Sequence, residues 1–136
     1  MTLRARSASP ADAAAITRIY NEGIEDRLGT FETRRRAESE VAAWFDGRHP
    51  IVVVEDDGQI VAFASTSSYR PRDCYTGIAE FSVYVSRQRR GRGAGRVAMD
   101  ALIAAASASG FWKLVSRVFV ENTASRRLLT AVGFRE

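Results

Sequence analysis

Residues 80–95 read Glu-Phe-Ser-Val-Tyr-Val-Ser-Arg-Gln-Arg-Arg-Gly-Arg-Gly-Ala-Gly, and the order of elements in this stretch decides the fold. Its first half alternates apolar and polar side chains, which predicts a β-strand. Its second half is basic and spaced by glycines, and an alanine-rich run typical of a helix follows at once. Such a loop forms an anion site, because glycines let several backbone N–H groups face one point and the helix dipole adds positive potential. The stretch therefore predicts a phosphate-bearing ligand, with the carboxylate of Glu80 just upstream.

The rest of the chain predicts one mixed α/β domain built around that strand. No repeat or linker divides the 136 residues, and Asp57-Gly58 is typical of a hairpin turn. We therefore predict a single α+β domain over residues 1–136, with helices flanking a twisted sheet. The predicted strands are 3–6, 51–55, 59–68, 78–86 and 112–120, and the predicted helices are about 10–23, 37–45, 93–109 and 122–132.

Composition narrows the chemistry to carboxylates, hydroxyls, arginines and the backbone. The chain is 46% hydrophobic and 26% charged, which is ordinary for a soluble globular protein. Cys74 is the one cysteine and His49 the one histidine, so an internal disulfide is excluded and we expect no metal site. An apolar leader and an apolar run of about 18–20 residues are both missing, so we expect a cytoplasmic protein with no membrane partner.

The positive charge is concentrated in two arginine clusters. One is the run 34–36, which we interpret as a solvated face or the rim of a phosphate site. The other contains Arg87, Arg89, Arg90, Arg92 and Arg96, which we expect to add mobile charge around the anion site. Because aromatic residues do not alternate with these arginines, the pattern favours a discrete anionic ligand over nucleic acid.

Two motifs carry a family resemblance. Arg90, Gly93 and Gly95 form Arg-x-x-Gly-x-Gly, which has neither the Gly-Lys-Ser/Thr of a P-loop nor the spacing of a dinucleotide fingerprint. In its place between a strand and a helix, it resembles the acyl-CoA-binding motif of the GNAT superfamily of N-acetyltransferases. Residues 121–134 resemble that superfamily's Asn-x-x-(Ala/Ser)-x-x-Leu…Gly-Phe segment.

This resemblance implies the GNAT fold, a central and mostly antiparallel sheet between helices, with acetyl-CoA as the cofactor. It also implies that the pyrophosphate is held by main-chain N–H groups of the glycine loop. The residues carried over as cofactor-binding are Val83, Val85, Arg90, Gly91, Arg92, Gly93, Ala94, Gly95, Arg96, Asn122 and Ser125.

Further segments resemble one branch of the superfamily, the phosphinothricin, methionine sulfoximine and arsinothricin N-acetyltransferases. They are residues 30–32, Trp44, residues 80–85 and residues 111–119. The resemblance implies acetylation of the α-amine of a small glutamate-like amino acid, a role in antibiotic or herbicide resistance, and a homodimer. Substrate-binding residues carried over with it are Phe31, Glu32, Arg70, Arg72 and Tyr75.

The resemblance also assigns the general base to Glu80. Only a neutral amine can attack a thioester, and a carboxylate on the central strand can accept the proton that must leave. The alternative is that Glu80 lies on the solvated face of an edge strand, which the apolar flanking sequence and the central place of the strand disfavour.

Two departures from the superfamily pattern stand out. Leu129 occupies the place where many members have a Tyr that protonates the departing thiolate. The superfamily also continues past Gly-Phe with about two more strands, so we expect the C-terminal strands to be missing here. A catalytically inactive CoA-binding or nucleic-acid-binding module on the same fold is therefore the alternative.

Overall fold

The computed structural model describes residues 2–26, 35–68, 77–116 and 123–135, with the backbone alone for residues 123–125. Single turns of 3₁₀ helix lie at Pro10–Asp12 and Arg87–Arg89. The strands are β1 (Leu3–Ser7), β2 (Ile51–Asp56), β3 (Gln59–Ser68), β4 (Ile78–Val85) and β5 (Lys113–Val115). The helices are α1 (Ala13–Glu25), α2 (Glu38–Ala42), α3 (Ala94–Ala108) and α4 (Thr123–Ala131).

The strands form one five-stranded sheet in the order β1-β2-β3-β4-β5. The first four strands pair antiparallel, and β5 pairs parallel to β4. The sheet is therefore mixed and mostly antiparallel, as predicted. Because β4 lies between β3 and β5, Glu80 is on an interior strand, and its placement on an edge strand is wrong.

Helices cover both faces of the sheet, which explains the nearly continuous apolar run of β2. Val53 packs with Ile16, Ile19 and Phe63 on the face covered by α1 and α2. Val52 and Val54 instead pack with core residues of α3, which include Ala98, Met99 and Leu102. Successive strand residues point to opposite faces, so both faces must be apolar. Among the described residues, no helix is long and apolar enough to cross a membrane.

The hairpin between β2 and β3 is confirmed. Asp57 and Gly58 both have positive φ, +51° and +77°, as the type I′ turn requires. The second predicted helix, over residues 37–45, is wrong at its end, because α2 stops at Ala42. There Trp44 and Phe45 donate backbone bonds to residues three positions back, at 2.9 and 3.3 Å, which tightens the chain into a turn.

Candidate active site

The sheet begins to open between β4 and β5. Residues 78–80 of β4 pair with residues 113–115 of β5, and the ladder ends there. At the next position the Ser116 hydroxyl, the last described group on this side, donates to the Phe81 carbonyl at 3.0 Å. Within the described residues, β4 therefore has no partner strand on this edge after Glu80.

Main-chain groups of Val83 and Val85 face this opening. The N–H and C=O of one strand residue share an edge, and successive residues alternate between edges. Phe81 C=O faces β5, so Val83 and Val85 face the same way. The Val85 carbonyl contacts Arg90 Nε at 3.4 Å, whereas Ser86 N–H donates to β3 at 2.8 Å. Two cofactor-binding residues predicted from the sequence thus present backbone groups to the opening.

The glycine loop delivers the N-terminus of α3 to the same place. Gly91 and Gly93 have φ of +78° and +87°, a left-handed conformation that glycine adopts without strain. Gly93 is the N-cap, and its carbonyl accepts from Val97 N at 3.2 Å. The N–H groups of Ala94, Gly95 and Arg96 precede this bond and have no acceptor within the helix. The predicted pyrophosphate-binding segment is thus a row of N–H groups at the positive end of a 15-residue helix.

Gly95 serves a different purpose from the two glycines before it. A Cβ there would lie 3.0 Å from Leu128 Cδ2 and 3.5 Å from Val85 Cγ2. The missing side chain therefore lets α3 pack closely against β4 and α4. Leu129, the next residue of α4, is half-buried and packs against the core cluster that Val52 and Val54 form with α3. An apolar side chain thus stands where many superfamily members have a Tyr hydroxyl.

The expectation that all five loop arginines carry mobile charge is wrong for three of them. Arg87 and Arg90 pair with the Asp26 carboxylate at 2.9 and 2.7 Å. Arg89 pairs with the buried Asp56 at 3.3 Å. The carboxylates lie far away in sequence, so the sequence pattern could not reveal these pairs. Arg92 and Arg96 are exposed.

Glu80 starts a polar strip on the face covered by α1 and α2. Its neighbour across β3 is Ser67, and the next pair on the same face is Ser65 and Ser82. The pair that follows on the same face is aromatic, Phe63 and Tyr84. The Glu80 side chain is half-buried, and its position pairs with Val115 on the other side.

Beside this strip lies a cavity of about 400 Å³. The strands contribute Ser65, Ser67 and Ser82 to its lining. The opposite wall includes Tyr20 of α1 and two residues that flank α2, Arg36 and Trp44. The aromatic part of the wall is tightly packed, because ring centroids of Tyr20 lie 5.3 Å from Trp44 and 5.1 Å from Tyr84. The cavity is therefore a rigid, mixed polar and aromatic pocket next to Glu80.

Arg36 is a pocket residue that the sequence interpretation missed. Its side chain is 14% exposed, so the solvated face assigned to residues 34–36 is wrong at this position. The buried Asn21 fixes the backbone of Arg36, since its side-chain oxygen accepts from Arg36 N at 2.7 Å and its amide donates to Arg36 O at 3.0 Å. The guanidinium carbon is 5.9 Å from the Tyr20 ring centroid. Nothing in the sequence marks either Tyr20 or Arg36 as pocket-lining.

Several predicted site residues lie outside the described residues: Phe31, Glu32, Arg70, Arg72, Tyr75, Asn122 and the side chain of Ser125. The same holds for Cys74. Among the described residues, no group of three or more His, Cys, Asp or Glu side chains could hold a metal ion.

Comparison with known proteins gives consistent matches. The model of the acetyltransferase (GNAT) family matches residues 16–134. The L-methionine sulfoximine/L-methionine sulfone acetyltransferase of Salmonella typhimurium is 33% identical over 133 residues, which cover 95% of this chain and 78% of that relative.

Two solved structures that match were determined with acetyl-CoA. The yncA acetyltransferase of Salmonella typhimurium matches with a TM-score of 0.91 at 32% identity, over 99% of this chain and 80% of that one. A phosphinothricin acetyltransferase of Sinorhizobium meliloti matches with a TM-score of 0.90 at 31% identity, over 99% of this chain and 76% of that one. The fold, the superfamily and the cofactor predicted from the sequence are confirmed.

Proposed function

Because the chain belongs to the acetyltransferase (GNAT) family and is an N-acetyltransferase that uses acetyl-CoA, we propose that it acetylates the α-amine of a small, glutamate-like amino acid. One observation carries the proposal. The carboxylate of Glu80 lies on the last described residue of β4 that pairs with β5, and its neighbour on β3, Ser67, lines a cavity of about 400 Å³. That volume suits an amino acid better than a protein tail.

Acetyl-CoA supplies the acetyl group as a thioester when bound. The N–H groups of the glycine loop and of the first turn of α3 hold its pyrophosphate, because a helix N-terminus binds phosphate. The Val85 N–H would donate to the carbonyl oxygen of the thioester, where negative charge develops during attack. Glu80 would accept the proton of the substrate ammonium, directly or through a water, and so produce the nucleophilic amine. As the C–N bond forms the C–S bond would break, and CoA would leave as a thiolate that takes up a proton from water.

The pocket supports a zwitterionic substrate. Arg36, whose Nε lies 3.9 Å from Glu40 Oε2, contributes a guanidinium to one wall. Ser65, Ser67 and Ser82 supply hydroxyl donors and acceptors on the other. We assign Arg36 to the substrate carboxylate or to its phosphinate-like group, since a guanidinium fork matches both. The predicted roles of Phe31, Glu32, Arg70, Arg72 and Tyr75 in substrate binding are part of the same proposal.

The proposal is tested by release of the CoA thiol. Purified protein is mixed with acetyl-CoA and, separately, phosphinothricin, methionine sulfoximine or arsinothricin, and free thiol is followed by colour reagent. We expect saturable turnover with at least one of the three. Folded protein that binds CoA but releases no thiol with any of them would refute the substrate class and leave the family assignment intact.

Three further expectations stay predictions: a homodimer, a cytoplasmic location and a role in antibiotic or herbicide resistance. Sedimentation velocity at micromolar concentration tests the first. Expression in a phosphinothricin-sensitive host tests the last, because N-acetylation of the α-amine would protect its growth.

A further inference from the structure

Three carboxylates at the C-terminal end of α1 contact the loop that follows β4. They belong to Glu22, Glu25 and the C-cap residue Asp26. Glu22 Oε1 accepts the backbone N–H of Arg87 at 2.8 Å. Glu25 Oε1 accepts from Arg87 Nη2 at 3.1 Å. Asp26 accepts from Arg87 through both oxygens, at 2.9 and 3.1 Å. One arginine of the loop is thus held by its main chain and by a forked side-chain contact.

Asp26 joins two parts of the loop. Besides Arg87 it accepts from Arg90 Nη1 at 2.7 Å, on the other side of the 3₁₀ turn. Hydrogen bonds from Arg87 and then from Arg90 lower the pKa of Asp26 from 3.8 to about 2, so its charge persists at any working pH. Arg90 lies immediately before the first glycine of the cradle, Gly91.

A second anchor comes from the hairpin between β2 and β3. Asp56, 6% exposed, pairs with Arg89 at 3.3 Å. All three arginines of this segment are therefore fixed from outside the loop. A loop with two glycines at positive φ has little stiffness of its own, since glycine loses the most backbone freedom on ordering.

We propose that the carboxylates at the end of α1, and Asp26 above all, are positioning residues for acetyl-CoA. They hold the glycine loop in the conformation in which its N–H groups converge, before the ligand arrives. Binding then avoids the cost of ordering the loop, which is how preorganisation improves affinity. The inference rests on acetyl-CoA as the cofactor and not on the identity of the amine.

Simple electrostatics predicts the opposite effect. If Asp26 only neutralised Arg87 and Arg90, removing its charge would free two cations for the phosphates and tighten CoA binding. The two ideas therefore differ in sign, which makes a single substitution decisive.

The test is Asp26→Asn, with the CoA dissociation constant measured by titration calorimetry. We expect binding to weaken about three- to tenfold, the range for losing a few exposed ion pairs, with kcat at saturating acetyl-CoA unchanged. Asp26→Glu should restore part of the affinity. Asp100→Asn removes the same charge from an exposed position on α3 and should leave binding unchanged. Tighter or unchanged binding by Asp26→Asn would overturn the proposal.

A double-mutant cycle separates positioning from general destabilisation. Asp26→Asn and Arg87→Gln should each weaken CoA binding, and the double variant should lose less than the sum of the two, because both break the link between Asp26 and Arg87. Additive losses would contradict the proposal. If Asp26→Asn fails to fold, Glu25→Gln removes one contact to Arg87 and carries the same expectation at smaller size. Wild-type protein that bound no CoA would instead count against the cofactor assignment.

Discussion

Glu80 and Gly93 show how single residues set up the chemistry. Glu80 is half-buried on an interior strand, beside a pocket on one face and the strand opening on one edge. Gly93 has φ of +87° and is the N-cap of α3, whose first N–H groups have no acceptor within the helix. The proposed base needs a carboxylate at Glu80, whereas the positive φ of the N-cap favours a residue without a side chain at Gly93.

Glu80→Gln should lower kcat by about 10²–10⁴, the usual contribution of a general base. The loss should be largest near neutral pH and shrink as pH rises, because more of the amine is then neutral without help. The measurement is the pH profile of kcat, with CoA affinity and melting temperature as controls. A variant whose profile matches the wild type would refute the base assignment.

Gly93→Ala should destabilise the fold by about 1–2 kcal/mol, the cost of a left-handed conformation for an ordinary residue. It should also weaken CoA binding, because relief of that strain would move the N–H groups. Gly93→Asn is the matched variant, since Asn tolerates positive φ better. Urea unfolding and CoA titration measure both effects. Equal losses for Ala and Asn would argue against backbone strain as the cause.

At the scale of elements, the connection from α2 to β2 is a turn that the side chain of Asp46 holds together. Asp46 Oδ1 accepts the backbone N–H groups of Arg48 at 2.9 Å and of His49 at 2.8 Å, and Oδ2 contacts the His49 ring. Partial burial raises the pKa of Asp46, but the two backbone donors and the ring outweigh it and lower the pKa from 3.8 to about 2. Asp46 also lines the pocket. The turn thus links a wall of the site to the start of a core strand.

Asp46→Asn should cost stability at neutral pH and less in acid. A carboxyl whose pKa is lower in the folded state stabilises the fold above its unfolded value and loses that contribution as pH falls toward the folded value. We expect about 1 kcal/mol at pH 6, because the half-exposed side chain is screened by solvent, and roughly half of that at pH 3. Urea unfolding at both pH values measures it. An equal difference at both would contradict the assignment.

How far the sequence predicted these elements depended on whether the signal was local. The strand at Glu80, the glycine loop and the Asp57-Gly58 turn each have a short-range pattern, and each was predicted. The early end of α2 goes with the backbone bonds of Trp44 and Phe45 to residues three positions back, and the position of Arg36 with its two hydrogen bonds to Asn21 on α1. Partners distant in the chain leave no pattern in either segment alone.

Charge is the property of the whole molecule that separates the enzyme from the alternative of a nucleic-acid-binding module. The net charge is +4, and the larger of the two arginine clusters is that of the glycine loop. Within the described residues, Arg87, Arg89 and Arg90 are each paired with a carboxylate, whereas Arg92 and Arg96 are exposed. The glycine loop therefore offers less unpaired positive charge to a polyanion than its sequence suggests.

We expect duplex DNA to bind without saturation at 150 mM salt. The logarithm of affinity falls with that of salt by about 0.9 per neutralised phosphate, so two exposed arginines correspond to a slope near −2. Anisotropy of a labelled duplex at 50, 100 and 150 mM salt measures that slope, and unlabelled acetyl-CoA is the competitor. A slope near −5 would mean that Arg87, Arg89 and Arg90 leave their carboxylates to bind phosphate. That result would favour the nucleic-acid module and would also contradict the fixed loop on which the proposed CoA binding depends.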